Sequence, residues 1–413
     1  MQSRFIRWLA MLGCVGILSG CGRSQPVPSA SQQPEPGVSV SEKPEPPSPP
    51  LPVGGSIKIG ALFSVTGPAS FLGGPESRTA QMLVEKINQA GGVRGMELKL
   101  IVKDTAGSPE KAISFAKQLI EEDDVLAIIG PSTSGETMQI KSLCESAGMI
   151  LVSCAAAEAI VNPISRYIFK TPQKDSQAAE WIFNTMKQKG IRRIGVVTGN
   201  DGFGAEGKKQ LESIAPRHGI EIVISEVYDK SATDLTDIMT KIKGAQVEAV
   251  VNWSIVPAQS IVAKNMRQIG MKVPLFQSHG FGNLKYVEQS GEAAEGILFP
   301  AGRLLIADVL PDDHPQKAVL TAYKSDYESR FNEPVSTFGG HAYDALMITV
   351  KAIEQADKVD RPAVRDAMEK LTGFVGTAGI FNFKPDDHNG LGLEAFEMLE
   401  VRGGRFVPHI TSE

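Results

Sequence analysis

VLAIIGPSTSGETMQIKSLCESAGMILVSCAAAE, running from Val125 to Glu158, is the stretch that best indicates the fold of this chain. It opens with an apolar run, Val125–Ile129, which a Gly-Pro pair ends, and a second apolar run begins at Ile150. The segment between the two runs starts with hydroxyl residues, which commonly cap helices, so the pattern predicts strand, helix and strand. Two strands joined through a helix pair in parallel, so we expect a parallel sheet here.

Two turns of small residues follow these two strands. Ser132, Thr133 and Ser134 come after the first strand, and a Cys-Ala-Ala-Ala turn at 154–157 comes after the second. Both turns should lie at the carboxyl ends of parallel strands, where open α/β sheets bind their ligands. Backbone N–H groups at a helix start, with hydroxyls beside them, suit a small anion such as a carboxylate. The same hydroxyls could instead only cap the helix, and the local sequence leaves both interpretations open.

Alternating strands and helices continue from Ser56 to Val401, and one of the predicted helices covers about Glu76–Ala90. With so many units, an α/β fold of two doubly wound parallel-sheet lobes fits better than one sheet. A glycine-rich turn, Gly199–Gly204, follows one predicted strand. Its spacing differs from the dinucleotide fingerprint and no phosphate-binding lysine follows, so we expect no nucleotide cofactor.

Composition excludes several other classes of function. The net charge of −5 and the pI near 5.8 argue against a nucleic-acid partner, which would need a basic face. The six histidines are far apart and show no metal-ligand spacing, so we expect neither a metal nor another cofactor. No recognisable Ser/His/Asp or Cys/His set is present, so the chain is predicted not to be an enzyme.

The N-terminus has the pattern of a targeting segment. A positive region and the apolar run Trp8–Leu18 precede Leu-Ser-Gly-Cys, which resembles the bacterial lipoprotein box and ends at Cys21. We therefore predict a signal peptide over residues 1–20 and a lipidated Cys21; an ordinary secretory signal with an incidental cysteine is the alternative. Residues 21–55 are rich in proline and poor in apolar side chains, which predicts an extended tether. The protein is then expected outside the cytoplasm, anchored to a bacterial membrane.

Two cysteines remain, Cys144 near the end of the predicted helix and Cys154 beyond the next strand. Crossing that strand takes roughly 15 Å at about 3.3 Å per residue, which exceeds the reach of a disulfide. We therefore expect both thiols to be free and largely buried.

Several stretches in order resemble the branched-chain amino-acid type of ABC-transporter substrate-binding proteins, the leucine-binding-protein family. They are residues 57–60 (IKIG) with 64–68 (SVTGP), 87–95 (INQAGGVRG), Asp104 with 108–112 (SPEKA), 128–134 (IIGPSTS), 153–157 (SCAAA) and 342–345 (AYDA). The resemblance implies the periplasmic binding protein type I fold, in which two lobes joined by three crossovers close on a solute.

By this resemblance the crossovers should lie near Pro172, Phe299 and Gly373. Lobe one is then expected over residues 56–172 and 300–373, and lobe two over 173–299 and 374–413. On the same plan Tyr343 and Asp344 belong to a helix of lobe one and are structural rather than ligand-binding.

The resemblance also implies a set of ligand-binding positions, which are Phe71, Leu72, Ser134, Ala155, Ala157, Phe203, Ile255, His279 and Gly280. Ser134 matches a serine that holds the ligand carboxylate, whereas Ala157 keeps the N–H but lacks the hydroxyl usual at its position. An acid that pairs with the ligand ammonium falls on His279 or Gly280, and neither is acidic. Asp201 could replace that acid from the neighbouring turn, or it could be a solvated turn residue.

These departures leave two solute classes open. The resemblance indicates an amino acid, but burying an ammonium without an anionic partner costs several kcal/mol. The residues themselves therefore indicate a carboxylate with an apolar or aromatic tail. In either case we predict a lipid-anchored solute-binding protein that delivers to a permease of the branched-chain amino-acid type. The alternative is that the fold serves as a regulator of a cell-envelope enzyme or as a sensor partner, which the long tether would suit.

Overall fold

The computed structural model describes residues 54–410. The predicted signal peptide, Cys21 and almost all of the predicted tether lie outside the described residues. Within the described range, no helix combines the length and the apolar character needed to cross a bilayer.

Strands and helices alternate along most of the chain. The strands are β1 (Gly54–Phe63), β2 (Met96–Asp104), β3 (Ala127–Ile129), β4 (Ile150–Ser153), β5 (Ile168–Lys170), β6 (Arg193–Gly199), β7 (Glu221–Tyr228), β8 (Ala249–Trp253), β9 (Leu275–Gln277), β10 (Leu298–Ala301), β11 (Phe374–Val375), β12 (Ile380–Phe381), β13 (Glu397–Arg402) and β14 (Arg405–Pro408). The helices are α1 (Ser70–Gln89), α2 (Pro109–Glu121), α3 (Ser134–Ser146), α4 (Asp175–Gln188), α5 (Gly202–Ile214), α6 (Thr236–Gly244), α7 (Gln259–Gln268), α8 (Leu284–Ser290), α9 (Lys317–Phe331), α10 (Thr337–Gln355) and α11 (Arg361–Glu369).

Two large sheets organise the two lobes, and β11 pairs with β12 in a separate two-stranded sheet. The first sheet has the order β2-β1-β3-β4-β5 and is parallel throughout. The second has the order β14-β13-β10-β9-β8-β6-β7, with a parallel part extended by the antiparallel strands β13 and β14. Helices cover both sheets, since the central strands β3, β4 and β8 are buried along their whole length and so on both faces. The predicted class, α/β with two parallel-sheet lobes, is confirmed.

The stretch at 125–158 forms the predicted βαβ unit. In it β3 and β4 pair in parallel, with Ala127 opposite Ile150 and Ile129 opposite Val152. Cys144 and Cys154 are both buried and free, as expected. Helix α1 begins at Ser70, earlier than the predicted Glu76.

The chain passes between the lobes at three places. The first passage lies between β5 and α4, and the second follows β10, which pairs with β9 and β13 in the second sheet. The third lies near residue 396. The resemblance implied a crossover near Gly373, which is wrong. The physical reason is that Phe381, Phe383 and Leu391 bury their side chains in the core of the first lobe.

Hydrogen bonds of Asp344 and Arg303 stabilise the path of the chain between the lobes. The carboxylate of Asp344, in α10, accepts from the backbone N–H groups of Thr377 and Ala378 at 2.6 and 2.8 Å. This role is structural, as predicted for Asp344. At the passages themselves, the guanidinium of Arg303, just after β10, donates to the carbonyl of Glu394 and to the carboxylate of Glu397, both at 2.6 Å. Arg303 thereby ties the second passage to the third.

Candidate ligand-binding site

The carboxyl ends of β3 and β4 form one wall of the cleft between the lobes. Gly130, which ends β3, has φ +86°, and a Cβ there would lie 2.2 Å from the carbonyl oxygen of Leu62. Only glycine therefore allows the chain to turn this close to β1. The turn places Ser132, Thr133 and Ser134 at the start of α3, facing the second lobe.

The sequence left open whether the hydroxyls after β3 cap the helix or bind an anion, and Thr133 and Ser134 differ in this respect. Thr133 is the N-cap of α3, because its Oγ1 accepts from the N–H of Glu136 at 3.3 Å. Ser134 is only 2 % exposed, and its Oγ accepts from the N–H of Ala157 at 3.2 Å. Since that bond uses a lone pair, the hydroxyl proton of Ser134 stays available for a ligand.

The backbone N–H groups assigned to a ligand by resemblance already have acceptors. The N–H of Ala157 donates to Ser134, and the N–H of Ala155 donates to Ser153 Oγ at 3.1 Å. An anion at this wall can instead use the Ser134 hydroxyl and the first N–H groups of α3, which have no intrahelical acceptor.

An inner cavity of about 20 Å³ joins most of the predicted residues from both lobes. Its lining includes Leu72, Ser134, Ala155, Phe203, Ile255, His279 and Gly280. A volume of this size holds about one water molecule. Ala157 is not in the lining, and neither is Phe71, whose ring packs on Tyr286 with centroids 5.4 Å apart. The carbonyl of Phe71 accepts from Asn283 of the second lobe at 3.0 Å.

The second-lobe wall explains why no acid stands at position 280. A Cβ on Gly280 would lie 2.6 Å from the carbonyl oxygen of Ser254 and 2.8 Å from Ile255 Cγ2. Any larger side chain would therefore require these neighbours to move. The neighbouring His279 is buried, and neither ring nitrogen has a hydrogen-bond partner among the described residues. Burial lowers the pKa of His279 well below its usual value, so the ring is neutral.

Three buried titratable residues near this wall were missed by sequence reasoning. His341, from α10, lines the inner cavity, and burial lowers its pKa to about 3. Asp175 Oδ1 lies 3.4 Å from His279 Nε2, and burial raises the pKa of Asp175. Lys170 is fully buried, donates to the carbonyls of Ala156 and Gln173, and has a pKa lowered by burial. Of these three residues, only Lys170 gave a signal in the sequence, because a lysine at the end of the apolar strand β5 is unusual.

An outer cavity of about 240 Å³ adjoins the inner one and shares Ser134, Phe203 and Ile255 with it. Its further lining includes Pro68, Ala69, Thr133, Gly135, Glu136, Asn200, Asp201, Gly202 and Lys230. The lobes come into direct contact here, because a Cβ on Gly202 would lie 3.0 Å from the Cα of Gly135.

Asp201 is more than a solvated turn residue. Its Oδ1 accepts from the N–H groups of Phe203 and Gly204, both at 2.9 Å, and so caps α5. Burial raises the pKa of Asp201, and its Oδ2 has no partner among the described residues.

Comparison with known proteins shows which family shares this architecture. A family model described as periplasmic binding protein matches residues 56–405. The leucine-, isoleucine-, valine-, threonine- and alanine-binding protein of Pseudomonas aeruginosa is 27 % identical over 341 residues, covering 81 % of this chain and 88 % of that protein. The Leu/Ile/Val-binding protein homolog 3 of Brucella melitensis is 25 % identical over 363 residues, covering 82 % and 94 %.

Solved structures give the same result. An extracellular ligand-binding receptor from Rhodopseudomonas palustris HaA2 superposes with a TM-score of 0.80 at 27 % identity, covering 86 % of this chain and 99 % of that one. A branched-chain amino acid transporter substrate binding protein from Streptococcus pneumoniae, in complex with isoleucine, gives 0.74 at 26 % identity, covering 85 % and 97 %.

Proposed function

This chain belongs to the periplasmic binding protein family, whose model matches residues 56–405 of the 413-residue chain. We propose that it is the solute-binding component of an ABC importer. Membership in a family of binding proteins confirms the prediction that the chain is not an enzyme. The solute is a small carboxylate, either a branched-chain or other hydrophobic amino acid or an apolar or aromatic carboxylic acid. The partner is a permease of the branched-chain amino-acid type, as the names of the relatives suggest.

The observation that carries this proposal is that one cleft is lined from both lobes. Leu72 and Ser134 come from the first lobe, and Phe203, Ile255 and His279 come from the second. A solute between these walls gains contacts with both lobes only when the lobes are closed. It therefore shifts the balance between open and closed forms towards the closed form, which a permease can recognise.

The chemistry of the walls supports a carboxylate with an apolar tail. The hydroxyl of Ser134 and the start of α3 donate to the carboxylate, while Leu72, Phe203 and Ile255 surround the tail. The inner cavity alone is too small for such a solute, so the outer cavity provides most of its space.

The proposed location follows from the N-terminal sequence. Residues 1–20 are a lipoprotein signal peptide, Cys21 carries the lipid, and the proline-rich tether holds the lobes away from the membrane. The described relatives include extracellular receptors, which supports a place outside the cytoplasm. The lipid anchor rests on the sequence pattern alone.

A thermal-shift screen of the purified chain against the twenty L-amino acids and a set of aliphatic and aromatic carboxylates tests the proposal. A solute present at a thousand times its Kd should add about 4 kcal/mol to the free energy of unfolding and so raise the melting temperature. Small-angle scattering should show a smaller radius of gyration with that solute. A chain that no solute stabilises would refute the proposal, and tight binding without compaction would favour a regulatory or sensor role.

A further inference from the structure

We propose that Glu76 and Glu136, two buried acids of the first lobe, share a single proton, and that this proton keeps the turn at residues 132–134 able to hold the solute. The inference rests on the proposed function and adds control by pH to it, for either class of solute. Both acids act on the turn and on the start of α3, and not on the solute itself. They are therefore positioning residues for Ser134.

Glu76 lies in α1 and is completely buried. Its Oε2 accepts from the hydroxyl of Ser132, and the oxygen of that hydroxyl accepts from the backbone N–H of Ser64 at 2.9 Å. Its Oε1 is buried without a hydrogen-bond partner among the described residues. Glu76 thus holds the first residue of the turn, and it uses only one of its two oxygens to do so.

Glu136 lies in the first turn of α3 and is only 1 % exposed. Its Oε2 accepts from the hydroxyl of Ser64 at 2.9 Å and from the hydroxyl of Thr133 at 2.6 Å. Its Oε1 is likewise buried and has no hydrogen-bond partner within the described range. A buried carboxylate oxygen without a donor is unfavourable, because it has lost its hydration without gaining another hydrogen bond.

One proton between the two carboxyl groups accounts for both unpartnered oxygens. The groups are neighbours, since Ser64 donates its N–H to Ser132 and its hydroxyl to Glu136. All three donors to these carboxylates are hydroxyls, and neither acid forms an ion pair with a cation of the described residues. Two like charges in a buried site without a cation disfavour each other. A proton on one Oε1 removes one of the charges and donates a hydrogen bond to the other Oε1.

The proton belongs on Glu76. Glu136 has two hydroxyl donors and lies at the N-terminus of a helix, and both features favour its charged form. Burial raises the pKa of Glu76 well above its usual value of 4.5, and the charge of Glu136 raises this pKa further, although the hydrogen bond from Ser132 opposes the change. At neutral pH the pair therefore carries one negative charge, and it gains the second at higher pH.

Loss of the shared proton would weaken solute binding for two reasons. The second negative charge would lie near the start of α3, where we propose that the solute carboxylate binds, and charges interact strongly in the water-poor interior. Repulsion between the two carboxylates would also displace Glu76, which holds Ser132 in the turn. Solute binding is then linked to one proton, so the affinity should fall by about tenfold for each pH unit above the pKa of the pair.

Other titratable groups surround this part of the lobe. They are Cys154 after β4, Asp104 after β2, His341 and Asp344 in α10, and Asp201 and Lys230 across the cleft. Burial raises the pKa of Cys154 and lowers that of His341 to about 3, so both are neutral at neutral pH. The pKa of Asp104 is lowered, because its hydrogen bonds outweigh the effect of burial. Glu76→Gln keeps all of these groups, so comparison of this variant with the wild type isolates the pair.

Titration calorimetry on the purified full chain measures the linkage between affinity and pH. The probes are the twenty L-amino acids and the carboxylates of the thermal-shift screen, and the tightest binder is titrated from neutral to alkaline pH. We expect the affinity of the wild type to fall by about tenfold per pH unit in the alkaline range. The affinity of Glu76→Gln should not show this fall, because a glutamine amide donates to Glu136 at every pH. Glu121→Gln, which removes an exposed acid at the end of α2, should keep the wild-type profile.

Two measurements without solute test the shared proton itself. The infrared spectrum of the wild type at neutral pH should contain a protonated-carboxyl band that Glu76→Gln lacks, since the other buried acids are present in both proteins. Urea denaturation gives the second measurement. The unfolding equilibrium constant of the wild type, divided by that of Glu76→Gln, should rise by about tenfold per pH unit above pH 4.5 until Glu76 ionises in the folded state.

The contrary outcomes are distinct. A wild-type affinity that does not change with pH, or a Glu76→Gln variant with the same decline as the wild type, would overturn the inference and leave the proposed function intact. Identical infrared spectra would also overturn it. Should Glu76→Gln fail to fold, Glu136→Gln replaces it, because its amide donates to Glu76 and should likewise abolish the decline. If no probe binds at any pH, the proposed function and the inference fail together.

Discussion

Replacing Ser134 by alanine separates the two tasks of the helix start. In the structure Ser134 does not cap α3, and its Oγ is the acceptor for the buried N–H of Ala157 at 3.2 Å. Removing the hydroxyl leaves that N–H without a partner, which costs about 1–3 kcal/mol in the free energy of unfolding. It also removes a donor to the solute carboxylate, and a hydrogen bond to a charged group contributes about 1.5–3 kcal/mol, so affinity should fall roughly tenfold to a hundredfold.

Thr133→Ala is the matched variant at the neighbouring residue. It removes the N-cap and a bond to Glu136, so the free energy of unfolding should fall by about 1–2 kcal/mol while the solute contacts of Ser134 remain. Ser142→Ala, at an exposed position of the same helix, should change neither quantity. Urea denaturation gives the stabilities and titration calorimetry gives the affinities. An Ser134→Ala variant that loses stability but binds its solute normally would refute the assignment of Ser134 to the ligand.

Three further predictions follow from other parts of the chain. Cys21→Ala should leave the lobes folded but release the protein from the membrane fraction, because a single acyl chain holds only marginally and two hold firmly; a variant that still sediments with membranes would contradict the lipoprotein assignment. Gly202→Val should hold the lobes apart, since even a Cβ there lies 3.0 Å from Gly135, so scattering should show no compaction with solute and affinity should fall. Burial raises the pKa of Asp344 from 3.8 to about 7, so its contribution to stability is present at low pH and is lost as the pH rises. The free energy of unfolding of the wild type minus that of Asp344→Asn should therefore decrease between about pH 4 and about pH 7, and a difference independent of pH would contradict the raised pKa.

The sequence predicted the elements that depend on local pattern. The βαβ unit at 125–158 followed from two apolar runs and a hydroxyl-rich turn, and the free state of Cys144 and Cys154 followed from the length of one strand. Helix α1 begins at Ser70 and not at the predicted Glu76. In the fold Pro75 lies inside the first turns of α1, and a Cβ on Gly73 would lie 2.2 Å from the backbone of Ser64. Gly73 therefore allows α1 to pack closely against the turn after β1.

The site could be predicted only in part, because its chemistry depends on contacts between distant segments. By sequence Glu136 is an acid in the first turn of a helix, but in the fold it is buried and accepts a hydrogen bond from Ser64, 72 residues earlier in the chain. The third passage between the lobes was misplaced for a similar reason. Phe381 and Phe383 could belong to either core by sequence. In the fold, burial in the first core and the bonds from Thr377 and Ala378 to Asp344 hold that segment on the first lobe.

The link that Arg303 makes between two of the three passages limits how the lobes can move. Two rigid bodies joined by one strand have up to six degrees of freedom, whereas a second and third connection remove most of the sliding and twisting. Because Arg303 binds both Glu394 and Glu397, the second and third connections should bend as one unit. The remaining relative motion of the lobes is close to rotation about a single hinge. A partner that binds both lobes therefore distinguishes essentially one property, the extent of opening. A substitution at Arg303 would then alter the direction of the motion even though this side chain lies outside both cavities.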